Sequence, residues 1–157
     1  MSVQRARGFL EAQGFAHRVL EFDASSATVE LAAAAVGVIP ARIAKTLSFK
    51  REEGCLLVVT AGDQKIDNAK FKEAFGCKAK MLTPDEVRDQ LGYEVGGVCP
   101  FDLPPTVAVY LDDSLCRFDA VYPACGSASS AVRLSCEELF ALSNARAWVD
   151  VSKEIAS

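Results

Sequence analysis

The chain has few of the residues from which metal sites and common nucleophilic sites are built. It contains one histidine, His17, and its six cysteines form no C-x-x-C pair, which argues against zinc. A lone histidine also argues against Ser-His-Asp and Cys-His catalysis, and no serine lies in a G-x-S-x-G pattern. A Walker loop and a dinucleotide glycine fingerprint are missing as well. We therefore expect no metal and no cofactor, with water or a substrate group as nucleophile.

Long apolar runs are also missing. No stretch approaches the roughly 18 apolar residues of a membrane-spanning helix, so we expect no membrane partner. The N-terminal stretch MSVQRARGFLEAQGF shows no signal-peptide pattern, which makes a cytoplasmic location the expected one. In that compartment the cysteines are expected to be reduced and mostly buried. The length of 157 residues suits one domain, residues 1–157, with a single core.

The charge is low overall but unevenly distributed. A net charge of −4 argues against a large nucleic-acid footprint, and we expect no DNA partner. Nine of the 17 Lys/Arg but only five of the 21 Asp/Glu lie between Arg42 and Lys80. This basic central third could engage a few phosphates, though not a long duplex. Solvated helix lysines are the alternative explanation of the same pattern.

Apolar periodicity and end signals predict helices that interleave with strands. The predicted helices cover residues 2–14, 28–36, 65–75, 84–91 and 137–142. The predicted strands cover residues 17–22, 43–49, 55–61, 78–82, 106–111, 120–123, 130–134 and 146–151. Thr83 and Ser135 each begin a capping-box pattern, which supports the helices that follow them. Because hairpins occur beside the interleaved elements, we predict an α/β fold with one mixed, strongly curved sheet.

Two stretches indicate a ligand site. The predicted strand RIAKTLSFK, residues 42–50, carries one lysine, Lys45, in an otherwise buried-looking pattern. The later loop GGVCPF, residues 96–101, has the composition of backbone that lies close to a small ligand. Together an ammonium and backbone N–H groups could stabilise negative charge on a phosphate or carbonyl. A strand-end Lys45 that extends to solvent and pairs with an acid is the alternative explanation.

Five segments in chain order carry a resemblance to a known family: GVIPARIAKTLSF, LVVTAGD, GGVCPF, YPACGS and AVRLSCEEL. The pattern resembles the YbaK/ProX-type family, free-standing relatives of the editing domain inserted in bacterial prolyl-tRNA synthetase. The resemblance extends from about Thr28 to Val149 and implies a barrel-like sheet with surrounding helices. It also implies an aminoacyl-tRNA deacylase that acts in trans and needs no cofactor. Such hydrolysis is the second sieve that a synthetase needs when its own pocket cannot reject a similar amino acid.

The resemblance further implies roles for single residues and partners. Lys45 would contact the phosphate or carbonyl region of the terminal nucleotide, and Gly96 and Gly97 would position the ester carbonyl. As candidate substrate-binding residues we add Thr46, Val98, Cys99, Pro100, Gly126 and Ser127. The expected partner is the acceptor end of tRNA, with an aminoacyl-tRNA synthetase as a further candidate.

Departures from the family pattern leave the substrate open. Cys99 stands where many members have serine, and we expect an inert loop thiol there because no base is identified beside it. Alanine-editing members often carry a histidine in the third loop, where this chain has none. A module that binds a nucleotide or tRNA end without turnover, or docks on a synthetase, is the alternative function. A purely structural protein is the least favoured hypothesis.

Overall fold

The computed structural model describes residues 2–22, 28–93, 98–127 and 129–155, and the elements named below lie in these ranges. The helices are α1 Ser2–Ala12, α2 Val29–Val36, α3 Asn68–Phe75, α4 Pro84–Leu91 and α5 Cys136–Leu142. The strands are β1 Val19–Glu21, β2 Ile43–Lys50, β3 Cys55–Ala61, β4 Gln64–Ile66, β5 Val107–Asp112, β6 Tyr122–Pro123, β7 Ser130–Val132, β8 Ala147–Val149 and β9 Ser152–Glu154. Short 3₁₀ helices span Ala16–Arg18, Pro40–Arg42 and Asp113–Arg117.

A five-stranded mixed sheet in the order β6-β2-β3-β5-β8 forms the centre of the fold. Strands β2 and β3 are antiparallel, whereas β6, β5 and β8 run parallel to their neighbours β2, β3 and β5. Isolated bridges join Val121 to Leu134 and Ala124 to Ala131, which connects the β6 end of this sheet to the antiparallel pair of β7 and β1. The predicted α/β fold with a mixed sheet and surrounding helices is confirmed.

The two faces of β3 lie in different parts of the core. Alternate side chains of a strand point to opposite faces. Cys55, Leu57 and Val59 accordingly belong to the main apolar cluster, while Leu56 and Val58 belong to a second cluster against α3. All seven residues of β3 are buried. Burial on both faces explains why this strand reads as a continuous apolar run rather than as an alternating one.

Polar side chains and glycines fix the helix ends as the sequence indicates. Thr28 caps α2, its Oγ1 accepting the Leu31 N–H at 3.2 Å, and Gly37 ends that helix with φ of 84°. Thr83 and Ser135 each form a complete capping box at the start of α4 and α5. These local signals are confirmed because they depend on neighbouring residues only.

Three predicted elements differ where long-range pairing decides the structure. The helix predicted from residue 65 begins at Asn68, because Gln64–Ile66 pairs with β9. The strand predicted over 78–82 is reduced to one bridge between Met81 and Phe49. The closing strand predicted over 146–151 is limited to β8, because the Val151 N–H donates to the buried Asp112 carboxylate at 2.9 Å, and a separate strand, β9, begins after it at Ser152.

Candidate active site

A cavity of about 380 Å³ opens where the outer edge of β2 lacks a neighbouring strand. Strand β6 pairs with Ile43 and Ala44 only. Further along, the Ser48 carbonyl accepts the Leu82 N–H at 3.2 Å. Between these contacts, residues 45–47 have no strand partner on this edge among the described residues. The cavity therefore occupies a gap in the sheet pairing.

Most of the cavity wall is apolar. Besides residues 43–48 of β2, the wall is formed by Thr28, Val29, Ala32, Met81, Leu82, Pro84, Val87, Val98, Tyr122, Ala124, Ser130 and Ala131. A mostly apolar cavity of this size with a few polar groups is typical of a small-ligand site. The polar groups that β2 contributes then decide what chemistry the cavity supports.

Thr46 presents to the cavity hydrogen-bonding groups that have no partner among the described residues. Because the backbone groups of alternate residues in a strand point to the same edge, its N–H and C=O point the same way as those of Ser48, into the gap. Its Oγ1 is buried and makes no hydrogen bond to any described residue. A buried hydroxyl without a partner costs about 1–3 kcal/mol, which a bound ligand would offset. Thr46, predicted as a substrate-binding residue, lies in the cavity wall.

Lys45 is a half-buried cation without an acidic partner. Its ammonium makes no hydrogen bond or ion pair to any residue in the described part of the chain. The nearby Asp63 carboxylate instead binds Arg117, with N–O distances of 2.6 and 3.0 Å. Burial lowers the pKa of Lys45, while the charges of Asp63 and Glu30 partly oppose that shift. The ion-paired alternative is thus not what the geometry shows, and the ammonium is available to an anionic ligand.

Thr60 adds a second unsatisfied hydroxyl beside Lys45. The two residues are directly opposite in the register of β2 and β3, so their side chains leave the same face of the sheet. Thr60 is fully buried, and its Oγ1 makes no hydrogen bond within the described ranges. Sequence reasoning missed this residue, although it lies in the LVVTAGD segment that carried the family resemblance. Thr60 does not line the cavity and contributes to the site only as the cross-strand neighbour of Lys45.

The predicted residues 98–100 divide between the cavity and the core. Val98 is half-buried and lines the cavity, whereas Cys99 and Pro100 are buried and lie outside its wall. The Cys99 thiol is fully buried, and burial raises its pKa to about 11. Cys99 is therefore protonated at neutral pH, in keeping with the expected inert thiol.

The remaining predicted site residues are Gly126, Ser127, Gly96 and Gly97. Gly126 is buried at φ of 85° and lies outside the cavity wall. Ser127 Oγ lies 2.9 Å from Ser130 Oγ, and Ser130 lines the cavity. Ser127 therefore contacts a residue of the cavity wall. Gly96 and Gly97 lie outside the described residues, and the role predicted for them stays a prediction.

The described residues contain no group of three or more His, Cys, Asp or Glu side chains that could hold a metal ion. None of the helices in the described ranges is long and apolar enough to span a membrane.

Comparison with known sequences assigns these features to a family. The sequence model of the aminoacyl-tRNA editing domain matches residues 23–142. The chain belongs to the aminoacyl-tRNA editing domain family. The matched region contains every described residue of the cavity wall, including Lys45 and Thr46 of β2. Helix α1 and strands β8 and β9 lie outside the editing-domain match.

Individual relatives agree with the editing-domain assignment. The chain is 50% identical to the uncharacterized protein YwhH of Bacillus subtilis (strain 168), covering 98% of this chain and 99% of that protein. It is 34% identical to a proline–tRNA ligase of Thermotoga maritima over 74 residues, which are 46% of this chain and 13% of the ligase. A crystal structure described as a candidate trans-editing enzyme for prolyl-tRNA synthetase superposes with a TM-score of 0.87 at 35% identity, covering 97% of both chains. The predicted kinship with the prolyl-tRNA synthetase editing domain is confirmed.

The unpaired ammonium predicts an unusual effect on stability. We expect Lys45→Met to leave the thermal unfolding midpoint unchanged or raise it at neutral pH, because the variant removes a desolvated charge. A lysine whose pKa is lower in the folded state binds fewer protons there than in the unfolded chain. The stability of the wild type should therefore rise with pH between that lowered pKa and 10.5, the ordinary pKa of lysine, and the advantage of the variant should shrink there.

Thermal unfolding by circular dichroism across this pH range measures the effect, with Lys50→Met as the matched control. Lys50 lies on the same strand but pairs with Glu86 at 3.2 Å. The control should lose stability slightly, by less than about 1 kcal/mol, since the pair is partly exposed. A larger loss for Lys45→Met than for Lys50→Met would show that Lys45 has a stabilising partner and contradict the interpretation.

Proposed function

We propose that this editing-domain protein is a trans-editing hydrolase that removes a mischarged amino acid from the 3′ end of tRNA. The observation that carries the proposal is the unpartnered Lys45 ammonium on the wall of a mostly apolar cavity. In the proposal, Lys45 and the Gly96-Gly97 loop form the site, and Thr46 and Val98 contact the substrate. The family assignment and the likeness to a candidate trans-editing enzyme support this function.

The proposed reaction uses charge stabilisation rather than a protein nucleophile. Water, or a hydroxyl of the substrate, adds to the ester carbonyl carbon, and the carbonyl oxygen becomes an oxyanion. In this proposal the Lys45 ammonium and the Thr46 N–H, both from residues that line the cavity, stabilise that negative charge. Collapse of the intermediate breaks the bond to the ribose oxygen, which takes up a proton and leaves as the tRNA hydroxyl. Attack by water gives the free amino acid directly, whereas a substrate hydroxyl first gives an acyl intermediate that water then hydrolyses.

The apolar wall supplies the selectivity in this proposal. Val29, Ala32 and Val87 give it little hydrogen-bonding capacity, so the wall selects an aminoacyl side chain by size and shape. A hydrophobic pocket separates substrates that differ by one methylene by only about 10- to 200-fold. Selectivity by size is therefore modest. Modest selectivity suits an enzyme that checks the aminoacyl-tRNA made by a synthetase, rather than one that first selects the amino acid.

We expect Lys45→Ala to lower kcat/KM for deacylation by about 100-fold or more, as loss of an oxyanion-stabilising group does in other enzymes. The assay is a time course with catalytic amounts of protein and tRNAs charged with alanine, cysteine, serine or threonine. Lys50→Ala is the matched control and should retain activity. Full activity of Lys45→Ala would refute the role of Lys45. Stoichiometric binding without turnover by the wild type would instead favour the non-catalytic binding module.

A row of exposed lysines beside the cavity supports tRNA as the partner. Lys72, Lys78 and Lys80 form no ion pair with any described residue, and Lys72 and Lys78 line one shallow depression. Lys80 directly precedes Met81, which lies in the cavity wall. Cations on this line would contact backbone phosphates next to the nucleotide held in the cavity. A synthetase is a further candidate partner, since related sequences lie within proline–tRNA ligases.

The lysine row predicts salt-dependent tRNA binding. We expect Lys78→Ala and Lys80→Ala each to weaken binding and to reduce the slope of log K against log salt by roughly 0.7–0.9 per lost phosphate contact. Fluorescence anisotropy with labelled uncharged tRNA between low and physiological salt measures the slope. Lys70→Ala is the control, because Lys70 is engaged by Asp150 at 3.0 Å. Identical slopes for all three variants would remove the lysine row from the binding surface.

A further inference from the structure

Helix α1 lies outside the editing-domain match. One of its arginines, Arg5, contacts two segments that lead to the cavity wall. Arg5 Nη1 donates to the Leu91 carbonyl at the end of α4, at 3.0 Å. Arg5 Nε donates to the Asp102 carboxylate at 3.0 Å, and Nη2 donates to the Asp102 carbonyl. One guanidinium thus joins two segments that are 11 positions apart in the sequence, through charge-assisted hydrogen bonds.

Aromatic side chains extend the contact on both sides of Arg5. The guanidinium lies over the Tyr93 ring, 4.5 Å from its centroid. Tyr93 is only 1% exposed, and its hydroxyl donates to the Phe101 carbonyl at 2.7 Å. Phe9, one turn along α1, stacks on Phe101 with 6.2 Å between ring centroids. The segments 91–93 and 99–102 are therefore both fixed against α1.

The two residues beside the Arg5 guanidinium, Gly92 and Asp102, both have a left-handed backbone conformation. Gly92 has φ of 76°, and a Cβ at that position would lie 2.5 Å from Arg5 Nη1, so a side chain there would collide with the arginine. Asp102 has φ of 53°, a left-handed conformation that is uncommon for a residue with a side chain. Gly92 has this conformation as the C-terminal cap of α4, where its N–H donates to the Arg88 carbonyl, and Asp102 has it where both its carboxylate and its carbonyl accept from Arg5.

The fixed segments lead directly to the cavity wall. Val87 lines the cavity one turn before Leu91 on α4, and Val98 lines it four residues before Asp102. Cys99, next to Val98, is fully buried in the same apolar cluster as Tyr93 and Phe101. Movement of either segment relative to the other would change the distance between two apolar wall residues.

We propose that Arg5 is a positioning residue that holds the Val87 and Val98 walls at a fixed separation and thereby sets which aminoacyl side chains the cavity accepts. The inference rests on the proposed function, because it assigns the selectivity of that same site. Arg5 touches neither the cavity nor the reacting atoms; it acts through Leu91, Tyr93 and Asp102.

A purely structural role for Arg5 predicts a different result. Loss of folded protein lowers the activity towards every substrate by the same factor, whereas a changed wall separation alters the ratio of kcat/KM between two substrates. The test therefore compares the best and second-best aminoacyl-tRNA of the charged panel, for the wild type, Arg5→Met and Arg5→Lys. The control is Arg7→Met, which removes an arginine of the same helix that pairs with Glu21.

We expect Arg5→Met to reduce the ratio of kcat/KM between the two substrates by about tenfold, within the range that one methylene of pocket misfit produces. Arg5→Lys should give an intermediate ratio, because lysine keeps the charge but not the forked donor geometry. Arg7→Met should leave the ratio unchanged within twofold. An unchanged ratio in Arg5→Met would overturn the inference. Should Arg5→Met fail to fold, Asp102→Asn takes its place with the same expected direction.

Hydrogen exchange of the free protein separates this inference from the proposed function. Amides of residues 91–93 and 98–102 should exchange faster in Arg5→Met than in Arg7→Met. If the wild type hydrolyses no substrate of the panel, the proposed function fails, and the exchange result alone decides whether Arg5 positions these segments. Equal exchange in the two variants would overturn the positioning role whatever the activity.

Discussion

The gap in strand pairing along the outer edge of β2 is the constraint on which the site depends. Strand β6 covers Ile43 and Ala44, Leu82 covers Ser48, and the residues between them face a cavity instead of a neighbouring strand. A longer β6 would close the gap with ladder hydrogen bonds and remove the free groups of Thr46. The cavity therefore lies at an interruption of the sheet pairing among the described residues, on the strand next to the fully buried β3.

The polar groups at this gap lower the stability of the folded protein but are suited to bind a polar ligand. Lys45 is half-buried without an acid, and the hydroxyls of Thr46 and Thr60 have no partner among the described residues. Functional sites often retain such groups because substrate, rather than the protein, satisfies them. The Asp63 carboxylate is engaged by Arg117 at 2.6 Å rather than by Lys45, so this cost is not offset within the site.

Local sequence signals predicted the helix ends and the lysine of the candidate site. Features that depend on pairing between distant parts of the chain were not predicted. The caps of α2, α4 and α5 depend on residues three apart, and Lys45 stood out as a charge in an apolar strand. The start of α3 was wrong because the pairing of β4 with β9 joins residues 86 to 90 positions apart. Thr60 and Arg5 were missed for the same reason. A buried threonine in an apolar strand and an arginine on an N-terminal helix show their contacts only when the chain is folded.

The measurement that tests the central claim most directly is a crystal structure with a non-hydrolysable aminoacyl-adenosine analogue, in which an amide replaces the ester. The account predicts the analogue in the cavity at the β2 gap, with its carbonyl oxygen within hydrogen-bond distance of Lys45 Nζ or the Thr46 N–H. An analogue bound elsewhere, or bound in the cavity with its carbonyl turned away from both groups, would contradict the proposed site.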